Sequence, residues 1–353
     1  MSKELFGLSL AELTGVVCEL GMPKFRAKQI FQWLYEKSVF DFRQMTNLGK
    51  ADVEKLVASC SLLPASLAVL REQYSSDGLT GKLLVGLADG ATVETVLMHH
   101  DYGYSVCVSS QVGCDMHCAF CASGLKGCER SLTMAEILAQ VYLFNARLRP
   151  EQQRVSRVVV MGSGEPMLNF ENVAGALQFL HDEQGANMSY RNMTVSTCGI
   201  IPGIQKLTAL GLPVNLAVSL HAVKDELRSE LMPVNRGYPF PEVIRAAEEY
   251  ARASGREVTY EYILLRHKND STEDAELLAE YLRFKHASVN LIPANPVPEH
   301  GFERPSAGAV QHFADVLAKR RIRVTVRREM GKDIAAACGQ LRNRFQRERC
   351  KSE

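Results

Sequence analysis

The first 63 residues show the spacing of short helices. Apolar residues recur three or four positions apart in Leu10–Leu20, Phe25–Tyr35 and Ala51–Ala58, with turns between these segments. The pattern predicts a small helical module. Within Phe25–Tyr35 (FRAKQIFQWLY) basic and aromatic residues interleave, a composition that suits an RNA backbone and its stacked bases. An amphipathic helix with its aromatic side chains in a small core explains the same pattern.

Between residues 66 and 105 the spacing changes to that of strands. Lys82–Gly86, Val93–Met98 and Tyr104–Ser109 alternate in polarity, and Asp77-Gly78 and Asp89-Gly90 mark turns. We therefore expect a β extension that leads into a larger domain.

After residue 105, segments with strand and helix patterns alternate. The predicted strands are Val106–Ser109, Arg157–Met161, Thr194–Thr197, Asn215–Leu220, Thr259–Leu264, Val289–Ile292 and Arg323–Val326. The predicted helices are Glu171–Asp182, Ile200–Leu210, Asp225–Leu231, Pro241–Ala253, Thr272–Phe284 and Ala307–Arg320. This alternation predicts an α/β fold whose parallel strands are joined by right-handed crossovers. About six or seven such units suit a partial, open βα barrel with its chemistry at the carboxyl ends of the strands.

Composition places the chain among ordinary globular enzymes. Its 353 residues are 46% hydrophobic and 23% charged. Neither an apolar run of membrane-spanning length nor a signal peptide is evident, so we expect a cytoplasmic protein without membrane contact. In a reducing compartment the ten cysteines favour metal binding or thiol chemistry over a disulfide framework.

Charge is nearly balanced over the whole chain but not at its end. The net charge is +1, whereas residues 319–353 hold twelve Lys or Arg against four Asp or Glu. Such a segment can hold phosphates, although a solvated basic tail has the same composition.

Three cysteines follow the first strand of the predicted barrel. Cys114, Cys118 and Cys121 have CxxxCxxC spacing on one loop. Three thiolates can hold three irons of a [4Fe–4S] cluster and leave the fourth iron open. A structural zinc site normally takes four ligands, and His117 and Cys128 are poorly spaced to complete one.

This spacing, with an aromatic residue before Cys121, resembles the radical S-adenosylmethionine (SAM) superfamily. In that superfamily the open iron is chelated by SAM. Gly162-Ser163-Gly164-Glu165-Pro166 follows a predicted strand and matches the GEP motif of the superfamily, in which glycines allow close backbone approach and a carboxylate takes the methionine amino group.

Further segments narrow the resemblance to the RlmN/Cfr branch of RNA methyltransferases. These segments are VCVSSQVGC, MGSGEPMLN, STCGIIPGI, VSLHA, LMPVN, VNLIPANP and DIAAACGQL. Pro166 and the Met167-Leu168-Asn169 that follows it resemble RlmN rather than the Cfr resistance enzymes. The resemblance therefore implies methylation at C2 of adenine, with C8 as the alternative.

The resemblance also implies four regions of the chain. Residues 1–65 would be an accessory RNA-binding domain, 66–105 the β extension, 106–328 the barrel, and 329–353 a segment with a methyl-accepting cysteine and a basic tail.

The family's mechanism implies roles for three further residues. Cys338 takes a methyl group from one SAM by displacement, for which a thiolate is needed. A second SAM is then cleaved reductively, and its 5′-deoxyadenosyl radical removes a hydrogen atom from the S-methyl group. The resulting methylene radical on Cys338 adds to adenine C2. Glu94 is the base for the C2 proton. Cys107 attacks the Cys338 sulfur to release the RNA, which leaves a disulfide bond between the two cysteines.

The resemblance implies ligands and partners as well. One [4Fe–4S] cluster per chain and two SAM molecules per turnover are expected, with flavodoxin or ferredoxin as electron donor and a monomeric enzyme. The substrates would be 23S rRNA, in the peptidyl transferase centre, and tRNA, at the adenosine beside the anticodon. The SAM pocket would be formed by Gly164, Glu165, Ser196, Ser219, Leu220, His221 and Asn295.

Two other classes of function remain open on the sequence. A radical enzyme acting on a small molecule or a protein gives no reason for both Cys338 and Cys107. A cysteine-rich binding module gives none for the GEP and SLH segments. The other five cysteines have no role in the pattern and are expected to be small apolar residues or surface thiols; they are Cys18, Cys60, Cys128, Cys198 and Cys350.

Overall fold

A computed structural model describes residues 2–63, 67–294, 301–327 and 330–334 of the chain. None of the helices in these ranges is both long and apolar enough to cross a membrane.

The helical module predicted at the start of the chain is present. It contains α1 (Leu10–Glu19), α2 (Phe25–Tyr35) and α3 (Lys50–Ser59), and a short parallel pair, β1 (Lys3–Glu4) with β2 (Cys60–Ser61), joins its ends. Helix α1 begins at Ser9 because Ser9 and Glu12 form a capping box that satisfies backbone N–H groups of the first turn.

Aromatic side chains join this module to the rest of the molecule. The Tyr35 ring lies 5.3 Å from Tyr142 and 4.7 Å from Phe179, both on helices of the following domain. The Tyr35 hydroxyl accepts a hydrogen bond from the Gly7 N–H at 2.7 Å. Tyr35 is therefore a core residue and cannot stack on RNA bases, whereas Phe25 is 58% exposed.

Ten strands form one sheet, and a separate two-stranded ribbon lies beside it. In spatial order the sheet runs β14-β13-β12-β11-β10-β9-β6-β5-β4-β3, and the ribbon pairs β7 with β8. The strands are β3 (Ala68–Tyr74), β4 (Thr80–Gly86), β5 (Thr92–His100), β6 (Gly103–Cys107), β7 (Gln111–Gly113), β8 (Cys128–Ser131), β9 (Val155–Val160), β10 (Met193–Thr197), β11 (Asn215–Ser219), β12 (Val258–Leu264), β13 (Ala287–Pro293) and β14 (Arg323–Val326).

The sheet has two parts with different pairing. Strands β3 to β6 are antiparallel, as predicted for the β extension, and β6 to β14 are parallel, as in a partial βα barrel. The edge strands β3 and β14 do not pair with each other in the described part of the chain. The open barrel expected from the sequence is confirmed.

Helices connect the parallel strands. They are α4 (Met134–Leu148), α5 (Phe170–His181), α6 (Ile201–Leu210), α7 (Asp225–Leu231), α8 (Phe240–Ser254), α9 (Thr272–Leu282) and α10 (Ala307–Lys319). Short 3₁₀ helices lie at Phe42–Gln44, Ala122–Gly124, Arg149–Glu151, Pro166–Asn169, Tyr190–Asn192, Pro233–Arg236 and Lys332–Ile334. The sequence pattern missed α4, in which ten of the fifteen residues are buried.

Alternation along the parallel strands separates a helix-facing side from an inner side. The Tyr262 ring packs against Phe313 of α10, at 5.3 Å between centroids, so Tyr260 and Tyr262 face the helices. Glu261 then faces inward, and its register partners on neighbouring strands are Ser219 and Asn290. Polar side chains therefore line the inner face of the open barrel.

Candidate functional site

The three-cysteine loop lies between the two strands of the ribbon. Hydrogen bonds from Cys114 N to Gly127 O and from Cys121 N to Cys118 O, both 3.0 Å, fold the loop on itself. The Ala119 N–H donates to Leu231 O at 2.9 Å, which ties the loop to the end of α7. All three cysteines are partly buried.

Burial keeps at least two of these thiols protonated while no metal is bound. Burial raises the pKa of Cys114 to about 12 and also raises that of Cys118, and the neighbouring thiols add to both effects. Among the described residues, no group of three His, Cys, Asp or Glu side chains could hold a single metal ion. A cubane cluster does not require such a group, because each of its irons takes one thiolate.

The Gly-rich turn after β9 packs against the segment between β6 and β7. A Cβ atom at Gly162 would lie 2.7 Å from Ser109 Oγ, and one at Gly164 would lie 2.6 Å from Gln111 Cβ. Gly164 also has a φ of +105°, which side chains rarely adopt. Within this chain both glycines are therefore required for close packing against neighbouring backbone.

Glu165 holds several loops together. Its Oε1 accepts from Met167 N at 3.0 Å and its Oε2 from Cys198 N at 2.8 Å, while its own N–H donates to Gln111 Oε1 at 2.9 Å. Burial raises the pKa of this carboxyl, and the hydrogen bonds from Cys198, Thr197 and Met167 oppose that shift. The carboxylate is thus fixed in position where β9 and β10 end.

His221 is held as a neutral side chain. It is buried, and its Nδ1 accepts a hydrogen bond from Ile263 N at 3.0 Å. Burial and, next, the charge of Arg228 lower the pKa of His221 to about 3. With Nδ1 accepting, the proton of the neutral ring lies on Nε2. The ring packs edge-on against Phe120 of the cysteine loop, with centroids 4.7 Å apart.

The other residues expected in the SAM pocket divide into three groups. Ser196 and Ser219 are partly exposed on the inner face of β10 and β11. Leu220 is fully buried, and its N–H and C=O are bonded to Glu261 O and Arg228 Nε. Asn295 lies outside the described residues.

Glu94 and Cys107 lie on neighbouring antiparallel strands. Cys107 is the register partner of Val96, so Glu94, two residues away, points to the same face of the sheet. Glu94 forms a buried ion pair with Lys82 Nζ at 2.6 Å. Burial raises the pKa of Cys107 to about 11, to which Glu94 adds, while Arg327 and Lys82 lower it. Cys338 lies outside the described residues.

Lys82 was missed by the sequence interpretation because it stands among apolar strand residues. Arg228 was missed because α7 (DELRSEL) has the composition of a solvated helix. Cys198, which had no predicted role, supplies its backbone N–H to Glu165 and its C=O to Arg228. The only sequence signal for Lys82 is a charged residue where every neighbour is apolar, which indicates a buried ion pair.

Fewer basic and aromatic side chains of α2 are available to contact RNA than the sequence suggested. Arg26 Nε pairs with Asp52 at 2.8 Å, and its Nη1 donates to Asn47 O and to Gln29 Oε1. Lys28 is exposed. Most of the basic segment 319–353 lies outside the described residues.

Comparison with known proteins agrees with this arrangement. Residues 108–279 match the Radical SAM superfamily, and residues 3–62 match the ribosomal RNA large subunit methyltransferase N-terminal domain. A probable dual-specificity RNA methyltransferase RlmN from Symbiobacterium thermophilum is 49% identical over 97% of this chain and 91% of its own. A protein with the same description from Bacillus thuringiensis is 46% identical over 98% and 94%.

The structure of a radical SAM methyltransferase from Sphaerobacter thermophilus superposes with a TM-score of 0.91. It is 44% identical, and the match covers 96% of this chain and 98% of that one. With full-length relatives at this identity, the chain belongs to the RlmN family of radical SAM methyltransferases.

Proposed function

We propose that this protein methylates C2 of an adenosine in 23S rRNA, and of the adenosine beside the anticodon in tRNA, by radical SAM chemistry. Relatives described as dual-specificity RNA methyltransferases, 46–49% identical over nearly the whole chain, support this proposal. The structural observation that carries it is that Glu94 and Cys107 share one face of the sheet, and that Cys107 ends β6 only seven residues before the three-cysteine loop.

In this proposal Cys114, Cys118 and Cys121 hold one [4Fe–4S] cluster. When bound, the cluster supplies the electron that cleaves SAM and so generates the radical. Ferredoxin or flavodoxin is the proposed electron donor. The donor set fits this group, because three thiols lie on one short loop and their neighbours in this loop help to raise the pKa of Cys114 and Cys118.

The proposed SAM pocket lies beside the three-cysteine loop, at the carboxyl ends of the parallel strands. Its residues are Gly164, Glu165, Ser196, Ser219, Leu220 and His221, with Asn295 by resemblance alone. Neutral His221 offers an Nε2 donor toward a ligand, because its Nδ1 is already an acceptor. Ser196 and Ser219 offer hydroxyl groups on the inner face, where ribose or carboxylate oxygens can bind.

Charge sets the order of the last two steps. While Glu94 is ionised, it helps to keep Cys107 protonated. Once Glu94 has taken the adenine C2 proton it is neutral and no longer raises the pKa of Cys107, whereas Arg327 and Lys82 still lower that pKa against the effect of burial. The odd electron of the adduct radical would pass to the bound cluster. After the C2 proton has left, the Cys107 thiolate attacks the Cys338 sulfur, so that an S–S bond forms, the bond from sulfur to the methylene carbon breaks, and that carbon takes a proton to become the product methyl group.

The remaining assignments follow the same proposal. Residues 1–65 form an accessory RNA-binding domain, 66–105 the β extension with Glu94, 106–328 the barrel, and 329–353 the segment with Cys338. Exposed Lys28 and Phe25 of α2 are the groups of the first region that RNA can contact. We further propose that the protein works as a cytoplasmic monomer.

The test of function is incubation of reconstituted enzyme with rRNA and tRNA transcripts, SAM and reductant, followed by mass analysis of the adenosines. We expect 2-methyladenosine. An 8-methyl product would replace the C2 assignment by the alternative, and no methylated adenosine in either RNA would contradict the proposal.

The thiol assignments are tested on a denaturing gel with labelled RNA. Cys107→Ala can still be methylated and can still add to adenine, but lacks the resolving thiol, so we expect a covalent protein–RNA adduct to accumulate. Cys338→Ala is the matched control and should form neither methylated protein nor adduct. Adduct in the Cys338 variant, or normal turnover in the Cys107 variant, would show that the two roles are assigned wrongly.

A further inference from the structure

Arg228 is a fully buried arginine in the middle of the short helix α7. Its guanidinium donates to four oxygens, and all are neutral. These are Leu220 O at 3.0 Å, Asn235 Oδ1 at 2.7 Å, Cys198 O at 2.9 Å and Ser219 O at 3.3 Å. Buried charges are usually paired with an opposite charge, so this arrangement is unusual.

The charged groups around Arg228 do not supply such a pair. Among the described residues, no carboxylate lies within ion-pair distance of the guanidinium. Asp225 raises the pKa of Arg228 by its charge, but Asn235 bridges the two, since its Oδ1 accepts from Arg228 Nη1 at 2.7 Å and its Nδ2 donates to Asp225 Oδ1 at 2.8 Å. His221 is neutral and Cys198 keeps its proton, because burial lowers the pKa of the first and raises that of the second.

The charge of Arg228 acts on the cysteine loop. Arg228 and Cys118 lie close enough for each to affect the pKa of the other. The hydrogen bond from Ala119 N to Leu231 O holds the loop against the end of the same helix. Three thiolates and the electrons of a cluster would supply the negative charge that this cation lacks within the protein alone.

We propose that Arg228 is a positioning residue that compensates the charge of the cluster and raises its reduction potential. The inference rests on the proposed function, since it requires a cluster on the three cysteines. The oxidised cluster with three thiolate ligands is already anionic, and reduction adds a further electron in a site with little water. A fixed cation nearby therefore favours the reduced form.

The test is an anaerobic redox titration of reconstituted protein, with iron content measured for each variant. Arg228→Gln keeps hydrogen-bond donors but removes the charge. We expect its reduced-to-oxidised ratio at fixed potential to fall at least tenfold, which is a midpoint lower by 59 mV or more for one electron. Arg228→Lys keeps the charge and should restore most of the midpoint.

Asn235→Ala is the matched structural control. It removes a 2.7 Å hydrogen bond to the same guanidinium without changing any charge. The protein should lose stability while its midpoint stays at the wild-type value. A shift in Asn235→Ala as large as in Arg228→Gln would mean that Arg228 acts through packing alone, and would overturn the inference.

If Arg228→Gln fails to bind the cluster, a second charge variant still tests the inference. Asn235→Asp places a carboxylate against the guanidinium, and we expect it to lower the midpoint as well. A wild-type midpoint in either charge variant with full iron content contradicts the inference. Failure of wild-type protein to bind iron at all would instead contradict the proposed function, so the two failures are distinguishable.

Discussion

The parallel and antiparallel parts of the sheet hold their polar residues in different ways. In the parallel part, Glu165, His221 and Arg228 bond mainly to backbone groups of loops that follow strands. In the antiparallel part, Lys82 and Glu94 lie within strands and pair with each other.

The difference has a physical origin. Loops leave backbone N–H and C=O groups without ladder partners, and buried loops need side chains to satisfy them. Strands β4 and β5 satisfy most of their own backbone, so the charged side chains buried there, Lys82 and Glu94, pair with each other. Substitutions in the parallel part should therefore disturb the shape of the site, and those in the antiparallel part should mainly disturb its charge.

The largest expected effect on activity comes from the three-cysteine loop of the parallel part. Replacing any one of Cys114, Cys118 or Cys121 by Ala should abolish cluster binding and SAM cleavage, because three thiolates are the minimum that leaves a single open iron. Cys128→Ala is the control, since Cys128 lies beside the same loop with its N–H on Asp115 Oδ1 at 2.6 Å. Iron content and absorbance near 400 nm measure the outcome.

Full cluster in one of the three ligand variants would contradict the assignment. Loss of the cluster in Cys128→Ala, with the fold intact, would mean that a fourth cysteine ligates and that no iron is left open for SAM.

In the antiparallel part we expect an effect of intermediate size, on stability first. Lys82→Met removes the buried ion pair between Lys82 and Glu94, which should cost up to about 3–5 kcal/mol of the free energy of unfolding. Adding Glu94→Gln in the same chain removes both charges and should recover part of that loss. Chemical denaturation of Lys82→Met, Glu94→Gln and the double variant measures these changes in the free energy of unfolding.

The same variants separate stability from chemistry. Lys82→Met and Glu94→Gln should both stall release and accumulate RNA adduct, since the first removes the cation that holds Glu94 in position and the second removes the base for the C2 proton. The double variant should be more stable than Lys82→Met yet equally stalled. Recovery of turnover together with stability would show that the pair is only structural.

The parallel and antiparallel parts also differ in how much of each could be predicted from the sequence. Strand and helix periodicity located nearly every parallel unit within one or two residues, since each strand buries one face against helices. It missed α4, which is buried on most sides, and it missed β3, which lies at the sheet edge and is half-exposed. Cys107 and Glu94 were identified only by resemblance, since a cysteine or glutamate in a strand has no spacing of its own.

Arg228 illustrates what local patterns cannot show. Its helix has charged residues at most positions and is typical of a solvated surface, yet Arg228 is buried because the ends of β10 and β11 bring carbonyl oxygens together beneath it. That environment comes from residues 8 to 30 positions away, and it exists only after the barrel has formed.

The smallest expected effect concerns His221 and the pH dependence of stability. Its pKa in the folded protein is about 3, and an unfolded histidine titrates near pH 6.5, so between these values only the unfolded chain binds the proton. The contribution of His221 is therefore fully present above about pH 6.5 and is lost as the pH falls.

His221→Asn keeps an acceptor for Ile263 N and tolerates the φ of +61°. Between about pH 7.5 and 5.5 the free energy of unfolding of cluster-free wild-type protein should fall by about 1 kcal/mol more than that of the variant. Parallel slopes for the two proteins in chemical denaturation would mean that His221 binds its proton as readily in the folded as in the unfolded state, which its bond from Ile263 N to Nδ1 does not allow.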